Sequence, residues 1–287
     1  MNEQIRFIVI IPVYNMAAWI GENIALLKNQ TYSNFRCLLG DDLSTDNSVA
    51  VIEGAIGDDK RFKLVTHRTK KYSLGNICTL IEAAKADDND VIVLIDGDDR
   101  LANENVLQTL ADVYRQNDCW MTYGSYAAEG RGPEAICRPY PRKIVMLNAF
   151  RYVKWRASHL KTFKYGLWRH VKPSSLTISS RELRRARLRA LFTGCWRTWF
   201  HWRHIQLNEL LDETRQFTRR CSDKVITSPL LEMAGEKAVF IPDILYYYRA
   251  YEKDLQFNTA KSRQKWYQRL TRNIVRHKTR YQKLAQL

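Results

Sequence analysis

The sequence of 287 residues has no apolar run that approaches the roughly 18–20 residues a membrane-spanning helix requires. Its six cysteines are scattered and include no C-x-x-C pair. This spacing is typical of reduced thiols in a cytosolic protein rather than of a disulfide framework or a zinc site. The first six residues also lack the layout of a signal peptide. These absences predict a cytoplasmic protein without a membrane span.

Two phosphate-binding signatures are missing as well. No G-x-G-x-x-G follows the first predicted strand, and no G-x-x-x-x-G-K-[ST] occurs anywhere in the chain. Dinucleotide binding and P-loop chemistry therefore lose their usual support.

Acidic residues are almost absent between Arg151 and Ile205, where fourteen Lys or Arg accompany the single acid Glu182. This segment carries most of the formal net charge of +16, and the rest of the chain is close to neutral. Its partner should be an anionic surface, which could be membrane headgroups, nucleic acid or a phosphorylated substrate.

A regular alternation of strand and helix fills about the first 115 residues and predicts an α/β domain with a parallel sheet and crossover helices. The helices are expected over 17–29, from 44–46 onward, over 76–85 and over 101–114. The predicted strands are Phe7–Val13, Phe35–Leu39, Phe62–Thr66, Val91–Ile95 and Trp120–Ala127.

The strand Val91–Ile95 runs directly into the carboxylates Asp96, Asp98 and Asp99. Ligands of open α/β sheets bind just beyond the carboxyl ends of such strands. Three like charges at this point repel one another unless a cation lies among them. A divalent metal that accompanies a phosphate would supply that cation. The alternative is a cluster of acids that caps a following helix.

Three segments together resemble glycosyltransferase family 2, whose members have the GT-A fold. Ile11–Asn15 looks like the opening signature of the family, and Gly40–Ser48 resembles its D-D-G-S-T-D motif, with Leu43 where glycine is usual. Asp96–Asp99 is similar to the D-x-D element. The resemblance implies a Rossmann-like α/β/α domain with a mostly parallel sheet, followed by a helical, basic acceptor-side and C-terminal region.

For the D-x-D element, the resemblance implies binding of a nucleotide-sugar diphosphate together with Mn²⁺ or Mg²⁺. Asp96 would contact the ribose or phosphate end of the donor. Asp98 would ligate the metal, with Asp99 as an alternate ligand.

For the nucleotide, the resemblance implies that Asp42 hydrogen-bonds the base and that Pro12 and Tyr14 wall the base pocket. An ordinary Asx turn is the alternative for Asp42. The 68–76 segment, which includes Asn76, occupies the place where family members often put a basic residue near the diphosphate. A solvated loop without function explains this segment equally well.

The segment Cys221–Lys224 precedes a helix predicted over Val225–Ala234. It resembles the helix that carries the catalytic base of the family, with Ser222 replacing the usual first acid. Asp223 is therefore the candidate general base of an inverting transfer. The alternative is an acid that only complements the helix dipole. Ile244–Arg249 resembles the closing L-Y-x-Y-R segment, which extends the resemblance to about residue 250.

Aromatic and basic residues are interleaved between residues 150 and 220. This composition is typical of a helix at a membrane interface, and it would also suit single-stranded RNA. Alternatively, the tryptophans belong to the core and the arginines cover a solvated face. We favour a membrane surface or an anionic lipid-linked acceptor and expect no nucleic acid. The candidates for this surface are Trp155, His159, Lys161, Trp168 and Arg249, and the pattern continues through Leu183, Leu188, Phe192, Trp196, Trp199 and Trp202.

The tail from Lys261 carries an apolar stripe between basic faces. It is either a helix packed on the catalytic domain or a second membrane-binding helix. We therefore divide the chain into a nucleotide-sugar-binding part (1–130), an acceptor-binding part with the base helix and closing strand (131–250), and a basic amphipathic C-terminal helix (251–287).

The sequence leads to the hypothesis of a metal-dependent, inverting glycosyltransferase of the hexosyltransferase type. Its donor would be a nucleotide diphosphate sugar, first of all a UDP-sugar. Its acceptor would be a glycan or a lipid-linked glycan in the synthesis of lipopolysaccharide or capsule, at the inner face of the cytoplasmic membrane, where the protein would bind peripherally. A nucleotidyltransferase of similar fold and a basic nucleic-acid-binding protein without catalysis are the alternatives.

Overall fold

A computed structural model of the chain describes residues 4–128, 137–249 and 261–287. Within these ranges, eight strands form one mixed sheet. The strands are β1 (Phe7–Val13), β2 (Phe35–Asp41), β3 (Phe62–Thr66), β4 (Val91–Leu94), β5 (Arg100–Leu101), β6 (Met121–Ala128), β7 (Ser158–Lys164) and β8 (Ala238–Tyr248).

The helices cover both faces of this sheet and build an additional lobe. They are α1 (Ile20–Lys28), α2 (Ser48–Ile56), α3 (Tyr72–Ala84), α4 (Val106–Gln116), α5 (Arg142–Met146), α6 (Tyr165–Trp168), α7 (Pro173–Leu176), α8 (Ser180–Phe192), α9 (Trp196–Trp202), α10 (Ser222–Ala234) and α11 (Lys261–Arg276), with short 3₁₀ turns at Phe150–Tyr152, Leu207–Glu209 and Gly235–Lys237.

The first four strands form a parallel half-sheet in the order β3-β2-β1-β4. Side chains alternate between the two faces of a strand, and the central strand β1 shows this directly. The odd-numbered residues from Phe7 to Val13 join the core beneath α1, α2 and α4, whereas Ile8 and Ile10 join the core beneath α3 and α10. The predicted α/β domain with a parallel sheet and crossover helices is confirmed.

The second half of the sheet follows a different topology, which places β7 between β4 and β6. Strand β7 pairs antiparallel with both neighbours, β6 pairs parallel with β8, and β5 pairs antiparallel with β8. In the described ranges, four of the seven pairings are therefore parallel, in agreement with the mostly parallel sheet that was expected.

Side chains fix the first turns of α2 and α3, which begin away from their predicted starts. Helix α2 begins at Ser48, since the Asp46 carboxylate accepts the hydrogen bond of the Ser48 N–H at 2.9 Å. Helix α3 begins at Tyr72, four residues before the predicted start, because the Asp42 carboxylate accepts the N–H groups of Lys71 and Tyr72.

The helix predicted over 101–114 is wrong in its first part. Arg100 and Leu101 instead pair with β8, and α4 begins only at Val106. Tertiary pairing with a strand that lies more than 130 residues further along the chain decides the conformation here. No local pattern could have indicated it.

The tail helix α11 packs on the catalytic domain rather than presenting its apolar stripe to solvent. Leu270 and Ile274 are buried in a small core shared with α8, α9 and the segment around Ile205. Tyr281 and Leu284, predicted in the same stripe, lie beyond the helix and pack against the core that includes α10. No helix in the described ranges is both long and apolar enough to span a membrane.

Candidate active site

A cleft of about 850 Å³ opens where β1, β2 and β4 end, and it contains most of the predicted site residues. Parallel strands bring their carboxyl ends to the same edge of a sheet, which explains the convergence of the three motifs. The predicted residues that line the cleft are Pro12, Tyr14, Asp42, Asn76, Asp96, Asp98, Trp155, His159 and Asp223.

Two carboxylates of the D-x-D element, Asp96 and Asp98, line the cleft. Burial, followed by the negative charges of Asp223, Asp99 and Asp98, raises the pKa of Asp96 to about 7 against the opposing charge of Lys161. The cleft is therefore crowded with negative charge at its floor.

Gly97 lies between these two carboxylates because the strand ends approach closely here. A Cβ atom at this position would lie 3.0 Å from the Pro12 carbonyl oxygen and 3.3 Å from the Met16 side chain. A larger residue would push Asp96 and Asp98 away from the end of β1. The small size of the glycine thus allows the D-x-D element to pack closely against the segment Pro12–Tyr14.

Asp99, the predicted alternate metal ligand, lies behind the cleft. It is almost fully buried, and its carboxylate accepts hydrogen bonds from the Tyr246 hydroxyl (3.0 Å) and the Arg249 N–H (3.1 Å). The same Tyr246 hydroxyl accepts the N–H of Asp96 at 3.0 Å. Asp99 therefore connects the D-x-D loop to the end of β8.

Asp42, Tyr14 and Lys70 form one end of the cleft. The Asp42 carboxylate lies 3.5 Å from the Lys70 ammonium, in addition to its hydrogen bonds to the start of α3. The same ammonium lies 2.9 Å from the centre of the Tyr14 ring. Burial lowers the pKa of Lys70, and the charge of Asp42 opposes that shift. Leu43, at the usual glycine position, adopts a positive φ of 60°.

Asn76 is committed to the protein framework. Its amide nitrogen donates to the Gly40 carbonyl at 2.6 Å, and its oxygen lies 2.9 Å from His67 Nε2. A Cβ atom on Gly40 would lie 2.0 Å from that oxygen, so only glycine fits beneath it. Asn76 thus fixes the end of β2 against α3 while lining the cleft.

Asp223, in the first turn of α10, also lines the cleft, close enough to Asp96 for its charge to raise the pKa of that carboxyl. It forms an ion pair with Lys161, which is almost fully buried on β7. Burial would raise the pKa of Asp223, but the charges of Lys161, His159 and Lys224 and the hydrogen bond from Lys161 outweigh it and lower the pKa to about 2. The side chain is 54% exposed, so solvent in the cleft screens these charges.

The acceptor-side candidates fall into two groups. His159 lines the cleft and stacks on the Tyr246 ring at 4.7 Å, and Trp155 lines the cleft beside it. Lys161 forms an ion pair with Asp223, which lines the cleft. Trp168 packs on Phe163 outside the cleft.

Arg249 also lies outside the cleft lining. Its guanidinium forms an ion pair with Glu22 on α1, and its N–H donates to Asp99. The prediction of an acceptor contact for this residue therefore has no support from its position.

Sequence reasoning missed several cleft residues. Tyr126 on β6 and Tyr248 on β8 line the cleft beside His159, and Lys70 and Ser73 line it as well. Lys70 lies within the basic 68–76 segment, and this position could have indicated it. No sequence pattern indicated the two tyrosines, because their strands meet only through long-range pairing.

The carboxylates at the floor of the cleft fit a divalent cation. Asp98 offers the hard oxygen ligand that Mn²⁺ and Mg²⁺ accept, and the charges of Asp223, Asp99 and Asp98 contribute, after burial, to the raised pKa of Asp96. In the described part of the chain, no group of three or more His, Cys, Asp or Glu side chains is arranged to hold a metal by itself. A metal here would need further oxygen ligands, such as the phosphates of a donor.

The sequence profile of Glycosyl transferase family 2 matches residues 8–171, which is more than half of the chain. The chain belongs to this family. Among curated relatives, an uncharacterized glycosyltransferase of Haemophilus influenzae is 35% identical over 119 residues, which cover 42% of this chain and 46% of that protein. The Escherichia coli enzyme WfgD, a UDP-Glc:alpha-D-GlcNAc-diphosphoundecaprenol beta-1,3-glucosyltransferase, is 31% identical over 119 residues, 41% of this chain and 44% of that protein.

Solved structures agree with the fold. Staphylococcus aureus TarS, in complex with UDP, superimposes with a TM-score of 0.54 at 16% identity over 88% of this chain and 62% of that chain. Glucosyl-3-phosphoglycerate synthase of Mycobacterium tuberculosis, in complex with Mn²⁺, UDP and phosphoglyceric acid, gives a TM-score of 0.52 at 12% identity over 93% and 78%. The expected GT-A fold is confirmed. The aligned segment spans less than half of the length of the curated relatives.

Proposed function

We propose that this protein is a metal-dependent, inverting glycosyltransferase that transfers a sugar from a nucleotide diphosphate sugar, first of all a UDP-sugar. The observation that carries the proposal is the arrangement of one cleft. Asp96, Asp98 and Asp223 line the same cleft as Pro12 and Tyr14. The family membership supports the reaction class, and UDP complexes of TarS and of the synthase support the donor.

The donor half of the site holds a diphosphate next to Asp96 and Asp98. In this assignment Asp98 ligates Mn²⁺ or Mg²⁺ together with the donor phosphates, and Asp96 faces the ribose or phosphate end. The metal, when bound, stabilises the negative charge that develops on the leaving diphosphate. Tyr14 and Pro12 wall the base, and Lys70 moves off the Tyr14 ring as the base stacks there. Asp99 keeps the loop in place from behind.

On the acceptor side, the proposal assigns Asp223 as the general base. A base must be ionised before it can take the proton of the acceptor hydroxyl. The ion pair with Lys161 keeps the Asp223 carboxylate ionised throughout the neutral range, and it also fixes one carboxylate oxygen. The other oxygen is then available to the hydroxyl, beside the aromatic wall of His159 and Trp155.

The acceptor side also carries an exposed apolar patch that supports peripheral binding to a membrane. Phe192 is 82% exposed, Trp196 64% and Phe200 52%, and they follow one another at four-residue spacing on α8 and α9. Exposed aromatic residues among arginines are the composition of a membrane-interface helix. A lipid-linked glycan acceptor, as in surface polysaccharide synthesis, fits this patch and the acceptor named for WfgD.

Thermal melting with UDP and Mn²⁺ tests the proposal. The wild-type protein should be stabilised by UDP only when Mn²⁺ is present, and Asp98→Ala should abolish that response. Asp58→Asn, which removes an exposed carboxylate outside the cleft, is the matched control and should behave as wild type. Metal-dependent hydrolysis of a panel of nucleotide sugars then identifies the donor. Indifference of the wild-type protein to UDP, Mn²⁺ and every nucleotide sugar would overturn the proposal.

A further inference from the structure

A second concave site lies beside the cleft. It has a volume of about 370 Å³ and is formed by α10, α11 and the segment from Phe150 to Trp155. Trp155 lines both this site and the cleft, and Lys224, which follows Asp223 on α10, lines the second site. We call it the basic pocket because its lining includes Lys224, Arg269, Arg272 and Arg276 but no acidic residue.

Carboxylates of the described residues neutralise little of the positive charge of the basic pocket. A fifth cation in its lining, Arg151, is paired with the buried Glu232 at 2.6 Å. Among the described residues, no carboxylate forms an ion pair with any of the other four. Arg269, Arg272 and Arg276 follow at spacings of three and four residues, so they share one face of α11, where they are exposed.

The cations in the basic pocket repel one another. Burial lowers the pKa of Lys224, and the charges of Arg272 and Arg276 lower it further, opposed by Cys221 and Asp223. Such an arrangement is unfavourable without an anion, because like charges in a partly desolvated concavity raise each other's free energy. A bound anion would remove that repulsion.

The guanidinium groups of the basic pocket are hydrogen-bond donors as well as cations. Guanidinium groups bind phosphate oxygens with two parallel hydrogen bonds, which gives both affinity and orientation. The ligand should therefore be an anion with several acceptor oxygens.

We propose that the basic pocket binds a phosphate or diphosphate group of the acceptor. This inference rests on the proposed function, because the pocket gains its role from its position beside Asp223. A phosphate held by Lys224, Arg272 and Arg276 anchors the acceptor so that its hydroxyl lies across Trp155 in the cleft. The acceptor class is thus a glycan that carries a phosphate close to the sugar to be extended.

Binding of inorganic pyrophosphate tests the pocket by itself. Calorimetry is performed without divalent metal and in the Asp98→Asn protein, so that the donor site does not contribute. The double variant Arg272→Gln with Arg276→Gln should weaken binding at least tenfold. Lys60→Gln with Lys63→Gln, which removes two exposed charges outside the pocket, should leave it unchanged.

The proposal would be overturned if the Arg272/Arg276 variant bound pyrophosphate as tightly as the protein without these changes. It would also be overturned if the Lys60/Lys63 variant lost as much affinity as the arginine variant. If the arginine variant does not fold by circular dichroism, Lys224→Met replaces it. The UDP response of the wild-type protein with Mn²⁺ is measured separately. The proposed function and the basic pocket can therefore fail independently.

Two further ligands distinguish the source of the phosphate. Phosphatidylcholine vesicles that contain undecaprenyl diphosphate present a lipid-linked diphosphate, and mannose 6-phosphate presents a phosphorylated sugar in solution. Binding of either that depends on Arg272 and Arg276 supports the proposal and identifies the source. If replacing these arginines weakens binding to vesicles of phosphatidylglycerol but not to pyrophosphate, the pocket is part of a membrane surface and the inference is wrong.

Discussion

Lys161, buried on β7, forms an ion pair with Asp223 at the first turn of α10. The two residues were assigned separately from the sequence, Lys161 to an anionic surface and Asp223 to the base. Their contact joins β7, in the middle of the sheet, to the helix that begins at the cleft. Lys161 is therefore a positioning residue for Asp223.

Replacing Lys161 with Met should move the acid limb of the pH–rate profile to higher pH. A base is active when it is ionised, so the rate falls as the pH drops through its pKa. Lys161 holds the pKa of Asp223 down at about 2. Without it, burial raises that pKa, and kcat/KM should begin to fall at least one pH unit higher than in wild type.

The control for this experiment is Lys164→Met, which removes a lysine from the same strand outside the cleft. Its profile should match that of wild type. An unchanged acid limb in a folded Lys161→Met protein would show that Asp223 is not the titrating base.

Replacement by asparagine should have different effects on metal binding and stability at Asp98 and at Asp99. Asp98→Asn should lose the Mn²⁺-dependent stabilisation by UDP, because a carboxylate ligand is gone. Asp99→Asn should keep that response but lower the free energy of unfolding by about 1–3 kcal/mol, since the buried Tyr246 hydroxyl and Arg249 N–H lose a charged acceptor. Melting curves with and without UDP and Mn²⁺ measure both effects. Loss of the metal response in both variants would make Asp99 a ligand after all.

The convergence of the three motifs on one cleft could be predicted because their residues follow directly from strand ends. Once β1, β2 and β4 are parallel neighbours, the residues at Pro12, Asp42 and Asp96 must meet at one edge. The sequence did not predict the hydrogen bonds that the acidic residues of these motifs form within the protein. The hydrogen bonds of Asp42 to α3 and of Asp99 to Tyr246 depend on residues 28 or more positions away.

The acceptor half could not be predicted because composition does not tell which aromatic residues are exposed. Trp196 is 64% exposed, while Trp202, six residues later, is buried in the core of α8, α9 and α11. The interpretation that the tryptophans belong to the core holds for Trp202, and the membrane interpretation of exposed residues such as Trp196 stays a prediction. The partner of Lys161 depends on β7 pairing between β4 and β6, which no local pattern indicates.

Breaking the buried ion pair of Arg151 and Glu232 should strongly lower the free energy of unfolding. Glu232 accepts two hydrogen bonds from Arg151, at 2.6 and 2.8 Å, and a third from the Tyr281 N–H at 3.0 Å. Glu232→Ala leaves Arg151 buried without a counter-charge, which typically costs about 3–5 kcal/mol. Urea unfolding should show this loss. The double variant Arg151→Met with Glu232→Met should lose less, because no unpaired charge remains. A single variant as stable as wild type would contradict this account.

The exposed patch of Phe192 and Trp196 should determine binding to membranes. Burying one large apolar side chain contributes about 1.5–3 kcal/mol. The double variant Phe192→Ser with Trp196→Ser should therefore bind at least tenfold more weakly to vesicles that contain phosphatidylglycerol, as measured by flotation. Met146→Ser with Leu147→Ser is the matched control, because both residues are 59% exposed but lie on and just after α5. Equal binding by wild type and the Phe192/Trp196 variant, or no preference of wild type for anionic over neutral vesicles, would show that the basic aromatic segment does not bind a membrane.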